Sequence, residues 1–175
     1  MTARFAPFAR LLHWTMAVLI LAMLFIGAGM VSTASEYYPA LLAWHRPIGI
    51  AILALALVRL GFRLGRRPPG LPDDMPEWQK AAALASHWLL YALMIAMPLI
   101  GWAMQSAGGY PVLVTKALVL PPILPHDIHL YGVLRRTHGV LAYAFFLLIL
   151  GHLGAALTHA LIRRDGVFQS MAGGR

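Results

Sequence analysis

Histidine is the residue type whose placement in this sequence most strongly indicates chemistry. Five of the eight histidines lie within or at the ends of long apolar stretches: His13, His45, His87, His138 and His152. His159 is a sixth, close to the end of the last stretch. An ionisable side chain inside a bilayer is costly and points by default to a function. One such histidine alone would more often be a packed residue that hydrogen-bonds a neighbouring helix, but a set of them needs another explanation.

The spacing of the histidines sorts four of them into two pairs. If the apolar stretches cross a membrane in succession, His13 lies near the end of span 1 on the side of the termini, and His45 lies near the opposite surface in span 2. His138 and His152 are fourteen residues apart in span 4. Fourteen residues of α-helix rotate to within about 40° of four full turns and rise by ~21 Å, so the two side chains project from nearly the same face at two depths. We therefore expect His45 to meet His138 at one depth and His13 to meet His152 at another.

Two opposed imidazoles at each of two depths indicate haem b. Haem iron takes axial nitrogens from opposite faces, and its apolar macrocycle fits between the helices of a bundle. Zinc and di-iron centres usually need carboxylates or further ligands, and no span contains Asp or Glu. The absence of cysteine excludes disulfides, thiolate-bound metal clusters and covalently attached haem. The sequence thus predicts two non-covalent haem b groups.

Two further histidines have alternative interpretations. His159 could replace His152 as the partner of His13, because it lies on nearly the same helix face, but the two irons would then be roughly 31 Å apart. Electron tunnelling falls steeply with distance, so the spacing favours His152. His159 could otherwise donate to a quinone carbonyl, and His87 could bind a haem propionate or line a quinone pocket. An ordinary structural hydrogen bond explains His87 slightly better, and a histidine at an interfacial helix end explains His159 about as well.

The elements that must position these histidines are membrane-spanning helices. Hydrophobic residues make up 60% of the 175-residue chain, charged residues only 11%, and the mean hydropathy is +0.72. Because a soluble domain is about a quarter charged, a conventional water-soluble enzyme is excluded, as are a disordered chain and a coiled coil. Four segments reach the length of about 20 apolar residues that a bilayer requires. We predict spans at about 11–31, 41–62, 81–104 and 137–162.

These spans predict an all-α fold, a four-helix transmembrane bundle that forms a single domain over residues 1–175. Four spans place both termini on one side of the membrane. Ten of the fourteen basic residues lie on that side: Arg4, Arg10, Arg59, Arg63, Arg66, Arg67, Lys80, Arg163, Arg164 and Arg175. Because positive charge accumulates in the cytoplasm, we expect cytoplasmic termini and a long periplasmic loop over 105–136. That loop is either a surface connection with a short interfacial segment or a lid over an outer site.

Arginines adjoin the histidine pair that is expected near the periplasm. Arg46, Arg135 and Arg136 are candidates for anchoring haem propionates, because the forked donors of arginine suit carboxylates. Together with nearby basic residues they could also steer a small anion toward this site, although helix-end arginines are common. The nearby residues are Lys116, His126 and His129. Nucleic-acid binding is not indicated, because the basic residues flank the spans and form no patch interleaved with aromatic side chains.

Around these histidines the sequence resembles the bacterial cytochrome b561 family of di-haem b membrane proteins. The matching stretches are LLHWTMAVLI, AWHRPIGIAILALALVRLGFRL, SHWLLYALMIAMPLIGW and RTHGVLAYAFFLLILGHLGAAL. They contain His13, His45, His87, His138 and His152, and the resemblance extends over nearly the whole chain. It implies axial ligation of an inner haem by His13 and His152 and of an outer haem by His45 and His138, the pairs that topology predicts.

The resemblance also implies a function, which is electron exchange with ubiquinone by a multi-pass protein of the bacterial inner membrane. Some members resemble superoxide oxidases, which take an electron from superoxide outside and pass it to quinone. We therefore expect single-electron transfer from a periplasmic donor, with superoxide preferred, to ubiquinone. The alternative is a membrane anchor and electron-relay subunit of a periplasmic dehydrogenase or hydrogenase. The expected partners are the lipid bilayer, ubiquinone, and superoxide or a periplasmic redox protein.

Overall fold

Four long helices form the body of the protein in a computed structural model that describes residues 4–32, 36–66, 68–115 and 117–173. They are α1 (Pro7–Ser32), α2 (Tyr38–Leu64), α3 (Glu77–Ala107) and α4 (Ile128–Leu157). A π-helical turn (Thr158–Arg163) continues α4, and a short helix, α5 (Val167–Ala172), follows it. All four long helices are long and apolar enough to cross a membrane, which confirms the predicted four-helix transmembrane bundle. Lys116, Arg67 and Arg175 of the expected charge pattern lie outside the described residues.

Helix α4 begins nine residues before the predicted span at 137. Asp127 caps it, because its carboxylate accepts the backbone N–H groups of His129 at 2.8 Å and Leu130 at 3.0 Å. The hydrogen bond from Leu130, followed by that from His129, holds the pKa of Asp127 below its ordinary value. Hydropathy does not detect this polar beginning of the helix. Arg135 and Arg136 therefore lie on α4 and not in the connecting loop, which runs over 108–127 instead of 105–136.

The connection between α3 and α4 contains a small antiparallel hairpin of β1 (Val112–Leu113) and β2 (Val119–Leu120). Strands of two residues leave almost no periodicity in a sequence, so the all-α prediction missed this feature. Trp102 of α3 donates its indole N–H to the carbonyl of Pro121 at 2.9 Å. Ser106 of α3 accepts a backbone N–H from the loop at 3.1 Å. These two hydrogen bonds hold the hairpin loop against the end of α3.

The helices pack as two antiparallel hairpins, α1 with α2 and α3 with α4, which are joined by contacts between α2 and α3. The backbones of α1 and α2 make few close approaches to that of α4 in the described residues. A small apolar core lies between the four helices: Met16, Ile20, Ile52, Ala56, Tyr91, Met94 and Phe145. Many other large apolar side chains are exposed, as is expected of helices that face lipid. Contact between α4 and the first hairpin therefore depends on side chains, among them histidines.

The N- and C-terminal segments pack together at one end of the bundle. Arg10 and Trp14 of α1 both donate to the carbonyl of Met171 in α5, at 3.2 and 3.3 Å. Gly173 ends α5 with a φ of +87°, and the Arg10 guanidinium lies where a Cβ of this residue would be. Both the backbone conformation and the close approach require glycine here. We call this end of the bundle the terminal side, and the end with the hairpin the loop side.

Candidate functional site

The structure brings His45 of α2 and His138 of α4 together toward the loop side. Their ring centroids are 6.2 Å apart, and the ring planes are inclined by 65°. The Nδ1 atom of His45 is buried and has no hydrogen-bond partner among the described residues. The Nδ1 atom of His138 is also buried, and the backbone of Met97 in α3 lies close to that ring. Gly101 of α3 adjoins the second ring, because a Cβ at this position would lie 3.4 Å from Cε1 of His138. This is an ordinary packing distance, so α3 packs against the imidazole at this position.

The second predicted pair, His13 of α1 and His152 of α4, also meets. These ring centroids are 6.3 Å apart, and the ring planes are inclined by 68°. His87 of α3 is another neighbour of His152, with centroids 5.6 Å apart. His159, the alternative partner for His13, is instead engaged by Asp165 on the terminal side. The imidazoles of His13, His87 and His152 thus lie together where the sequence predicted only the pair of His13 and His152.

The ring separations fit two nitrogens on opposite sides of one metal ion. A metal–imidazole bond is about 2 Å long and the ring centre lies about 1 Å farther out, so opposed rings have centres about 6 Å apart. The two predicted pairs have separations of 6.2 and 6.3 Å. Among the described residues, no group of three or more His, Asp or Glu side chains could hold a metal ion. Haem needs only two protein ligands, so this donor set fits haem.

Glycines on α4 lie beside both of its histidines. A Cβ built on Gly139, Gly151 or Gly154 would have no protein atom within 4 Å, so contact between helices does not explain these residues. Gly49 of α2 differs, because its Cβ would make an ordinary contact at 3.6 Å with Met23. The first two glycines are the direct neighbours of His138 and His152. A flat macrocycle held by those histidines could therefore come close to the α4 backbone.

Of the three arginines expected near the loop-side pair, only Arg46 is directed into the protein. Its Nη2 donates to Oε1 of the buried Gln105 at 2.7 Å, whereas its Nε is buried without a partner in the described chain. Arg135 and Arg136 are exposed on α4, and neither forms an ion pair or hydrogen bond with the described residues. Arg46 therefore offers an unused donor next to His45, while the other two contribute charge at the surface.

His159 lies in the π-helical turn and belongs to a network on the terminal side. Its Nδ1 is 2.6 Å from Oδ2 of Asp165, which is also 3.4 Å from Nε of Arg163. Partial burial opposes the ionisation of Asp165. The hydrogen bonds from His159 and the Val167 backbone, with the charge of Arg163, nevertheless hold the pKa of Asp165 below its ordinary value. π-Helical turns are frequent at functional sites, and the carboxylate fixes the orientation of the imidazole.

Arg59 of α2 is a residue of the terminal-side site that sequence analysis missed. Its Nε donates to the hydroxyl of Tyr91 at 3.1 Å, and the guanidinium carbon lies 5.9 Å from the centroid of that ring. The charge of Arg59 is close enough to act electrostatically on His13, His87 and His152. The sequence had assigned this arginine only to the membrane interface, which its long side chain can reach.

Comparisons with known proteins find relatives over nearly the whole chain. The family model described as prokaryotic cytochrome b561 matches residues 4–174. Two Escherichia coli K12 proteins, named cytochrome b561 homolog 2 and homolog 1, are each 28% identical to the chain. The alignments cover 97% of this chain and 92% of the first protein, and 96% of both for the second. A Yersinia pestis protein named probable superoxide oxidase CybB is 31% identical over 78% of this chain and 77% of its own length.

Proposed function

Because the chain belongs to the prokaryotic cytochrome b561 family of haem b-binding membrane electron-transfer proteins, we propose that it passes single electrons from superoxide to ubiquinone across the bacterial inner membrane. The observation that carries the proposal is that two pairs of imidazoles face each other at two depths of one bundle. Within the pairs, the ring centroids are 6.2 and 6.3 Å apart. The relative named as a probable superoxide oxidase supports the choice of donor. A haem b group held by two histidines would supply one-electron transfer without binding oxygen.

The two histidine pairs define an outer and an inner haem site. On this proposal, His45 and His138 would hold the outer haem on the loop side, which we place in the periplasm, and His13 and His152 would hold the inner haem. Helix α4 gives one ligand to each site. The fourteen residues between them therefore fix the two ligand levels ~21 Å apart along one rigid element.

The loop side provides positive charge for an anionic donor. Arg46 keeps a buried, unpartnered Nε beside the outer site, and a haem propionate is the carboxylate that this donor would bind. Arg135 and Arg136 are exposed on the first turns of α4, together with His129. Exposed positive charge raises the local concentration of a small anion and the rate at which it arrives. Superoxide fits this surface in both size and charge.

The terminal side provides groups suited to quinone reduction. Conversion of ubiquinone to ubiquinol takes two electrons, delivered one at a time, and two protons from water. His159 lies at the end of the span and its Nδ1 is bonded to Asp165, so its other ring nitrogen can interact with a quinone oxygen. His87 lies against the inner site, 5.6 Å from His152. We propose His159 as a quinone contact and His87 as a contact of quinone or of a haem propionate.

Purified protein mixed with a superoxide source and a short-chain ubiquinone tests the proposal. We expect the haem bands to become reduced and ubiquinol to form, and excess superoxide dismutase to prevent both. The matched control is His138→Ala, which lacks one ligand of the outer site and should receive electrons from superoxide slowly. Haems that superoxide leaves oxidised would contradict the proposal. Their reduction by a periplasmic dehydrogenase instead would identify the chain as an anchor and relay subunit.

A further inference from the structure

Arg59 is a charged side chain at membrane depth that has no acidic partner. Within the described part of the chain, no carboxylate lies at ion-pair distance from its guanidinium, and the salt bridges that form there involve other residues. The side chain is only partly exposed. A cation inside a membrane protein is costly and is kept where it serves a function. The uncompensated charge of Arg59 therefore needs an explanation.

The spacing along α2 places Arg59 at the level of the inner site. Arg59 follows His45 by fourteen residues, as His152 follows His138 on α4. Both intervals give nearly whole turns and the same rise of ~21 Å. Because His45 and His138 meet at the outer site, Arg59 and His152 come to similar depths at the inner one.

Tyr91 of α3 fixes the position of this charge. Its buried hydroxyl accepts a hydrogen bond from Nε of Arg59 at 3.1 Å. The guanidinium carbon is 5.9 Å from the centre of the aromatic ring, a distance at which the negative face of the ring also attracts a cation. Tyr91 follows His87 by one helical turn, and His87 lies 5.6 Å from His152. The arginine is therefore held beside the inner histidines.

We propose that Arg59, positioned by Tyr91, is a fixed positive charge that raises the midpoint potential of the haem held by His13 and His152. This inference rests on the proposed function. Ferric haem carries one more positive charge than ferrous haem, so a nearby cation favours the ferrous state, and the weak screening inside the protein strengthens the effect. The charge thereby favours inward transfer, in which the outer site loses one electron, the inner site gains it, and no covalent bond forms or breaks.

Redox titration of purified protein, followed in the visible spectrum, tests the assignment with Arg59→Gln, Arg59→Lys and Tyr91→Phe. We expect Arg59→Gln to lower the potential of one haem and leave the other unchanged, whereas Arg59→Lys keeps most of the wild-type value. Tyr91→Phe should lower the same haem by a smaller amount, because the charge stays but is no longer fixed. The combination with His138→Ala, which disrupts the outer site, identifies the affected haem as the inner one. Arg46→Gln is the matched control, and it should not move the inner potential.

The outcomes separate this inference from the proposed function. Unchanged potentials in Arg59→Gln, with both haems bound, would overturn the role of Arg59 and leave the electron-transfer proposal intact. A wild-type protein that shows no titration of two haems would overturn the proposed function itself. If Arg59→Gln does not assemble, Tyr91→Phe decides, because an inner potential equal to that of the wild type contradicts the inference.

Discussion

At the scale of residues, the proposed function depends on which histidines face each other in each pair. His152 has two imidazole neighbours: its ring centroid is 6.3 Å from that of His13 and 5.6 Å from that of His87. The loop-side pair of His45 and His138 has a separation of 6.2 Å, which matches the first of these neighbours. Topology alone could pair the residues, because depth follows from position along a span. It placed His87 only near the inner side and did not predict its contact with His152, because such a contact depends on how α3 and α4 pack.

Replacement of single histidines distinguishes the two neighbours of His152. We expect His13→Leu to bind about half the haem of the wild type, because one axial ligand of the inner site is lost. His87→Leu should retain the full haem content, because this residue is not an axial ligand. The pyridine haemochrome absorbance per mole of purified chain measures both. Full haem content in His13→Leu together with half content in His87→Leu would reverse the ligand assignment.

At the scale of elements, the sequence predicted the long apolar helices well and the polar ends poorly. Hydropathy located the spans because lipid contact imposes a continuous apolar surface. It could not locate the first turns of α4, which depend on the cap formed by Asp127, nor the hairpin, which depends on hydrogen bonds to α3. The π-helical turn and α5 are likewise fixed by specific contacts, such as that between His159 and Asp165. No periodic pattern of hydropathy in the sequence predicts such contacts.

The Asp165 network predicts a pH-dependent contribution to stability at the terminal side. Because the pKa of Asp165 is lower in the folded protein than its ordinary value, its carboxylate stabilises the fold fully at neutral pH. This stabilisation is lost as the pH falls through the folded-state pKa. We expect Asp165→Asn to lower the free energy of unfolding at pH 7 by about 1–2 kcal/mol, a figure reduced for partial exposure.

Thermal unfolding in detergent, measured at neutral and at acidic pH, checks this expectation. Asp165→Asn should unfold at a lower temperature than the wild type at pH 7, and the difference should shrink toward acidic pH. Asp73→Asn is the matched control, because Asp73 is an exposed carboxylate in the α2–α3 connection and forms no ion pair with Arg163, whose carboxylate partners are Asp74 and Asp165. A difference for Asp165→Asn that stays constant from neutral to acidic pH would contradict the assignment.

At the scale of the whole molecule, the bundle is two helical hairpins whose histidines meet across the interface with α4. The protein core is small, and α4 has few close backbone contacts with α1 and α2. Composition and hydropathy could predict the bundle, and the fourteen-residue interval on α4 could predict the two levels. The angles between the ring planes could not be predicted, because they depend on side-chain rotamers and on packing partners such as Gly101.

Low-temperature electron paramagnetic resonance of the oxidised, purified protein tests most directly whether each pair of imidazoles binds one haem iron. Two axial imidazoles make ferric iron low-spin. The steep inclinations of the ring planes, 65° and 68°, should make the g-values strongly anisotropic. We predict two low-spin ferric haem signals per chain, one of which disappears in His138→Ala. A dominant high-spin ferric signal, or the absence of any ferric haem signal, would contradict the account.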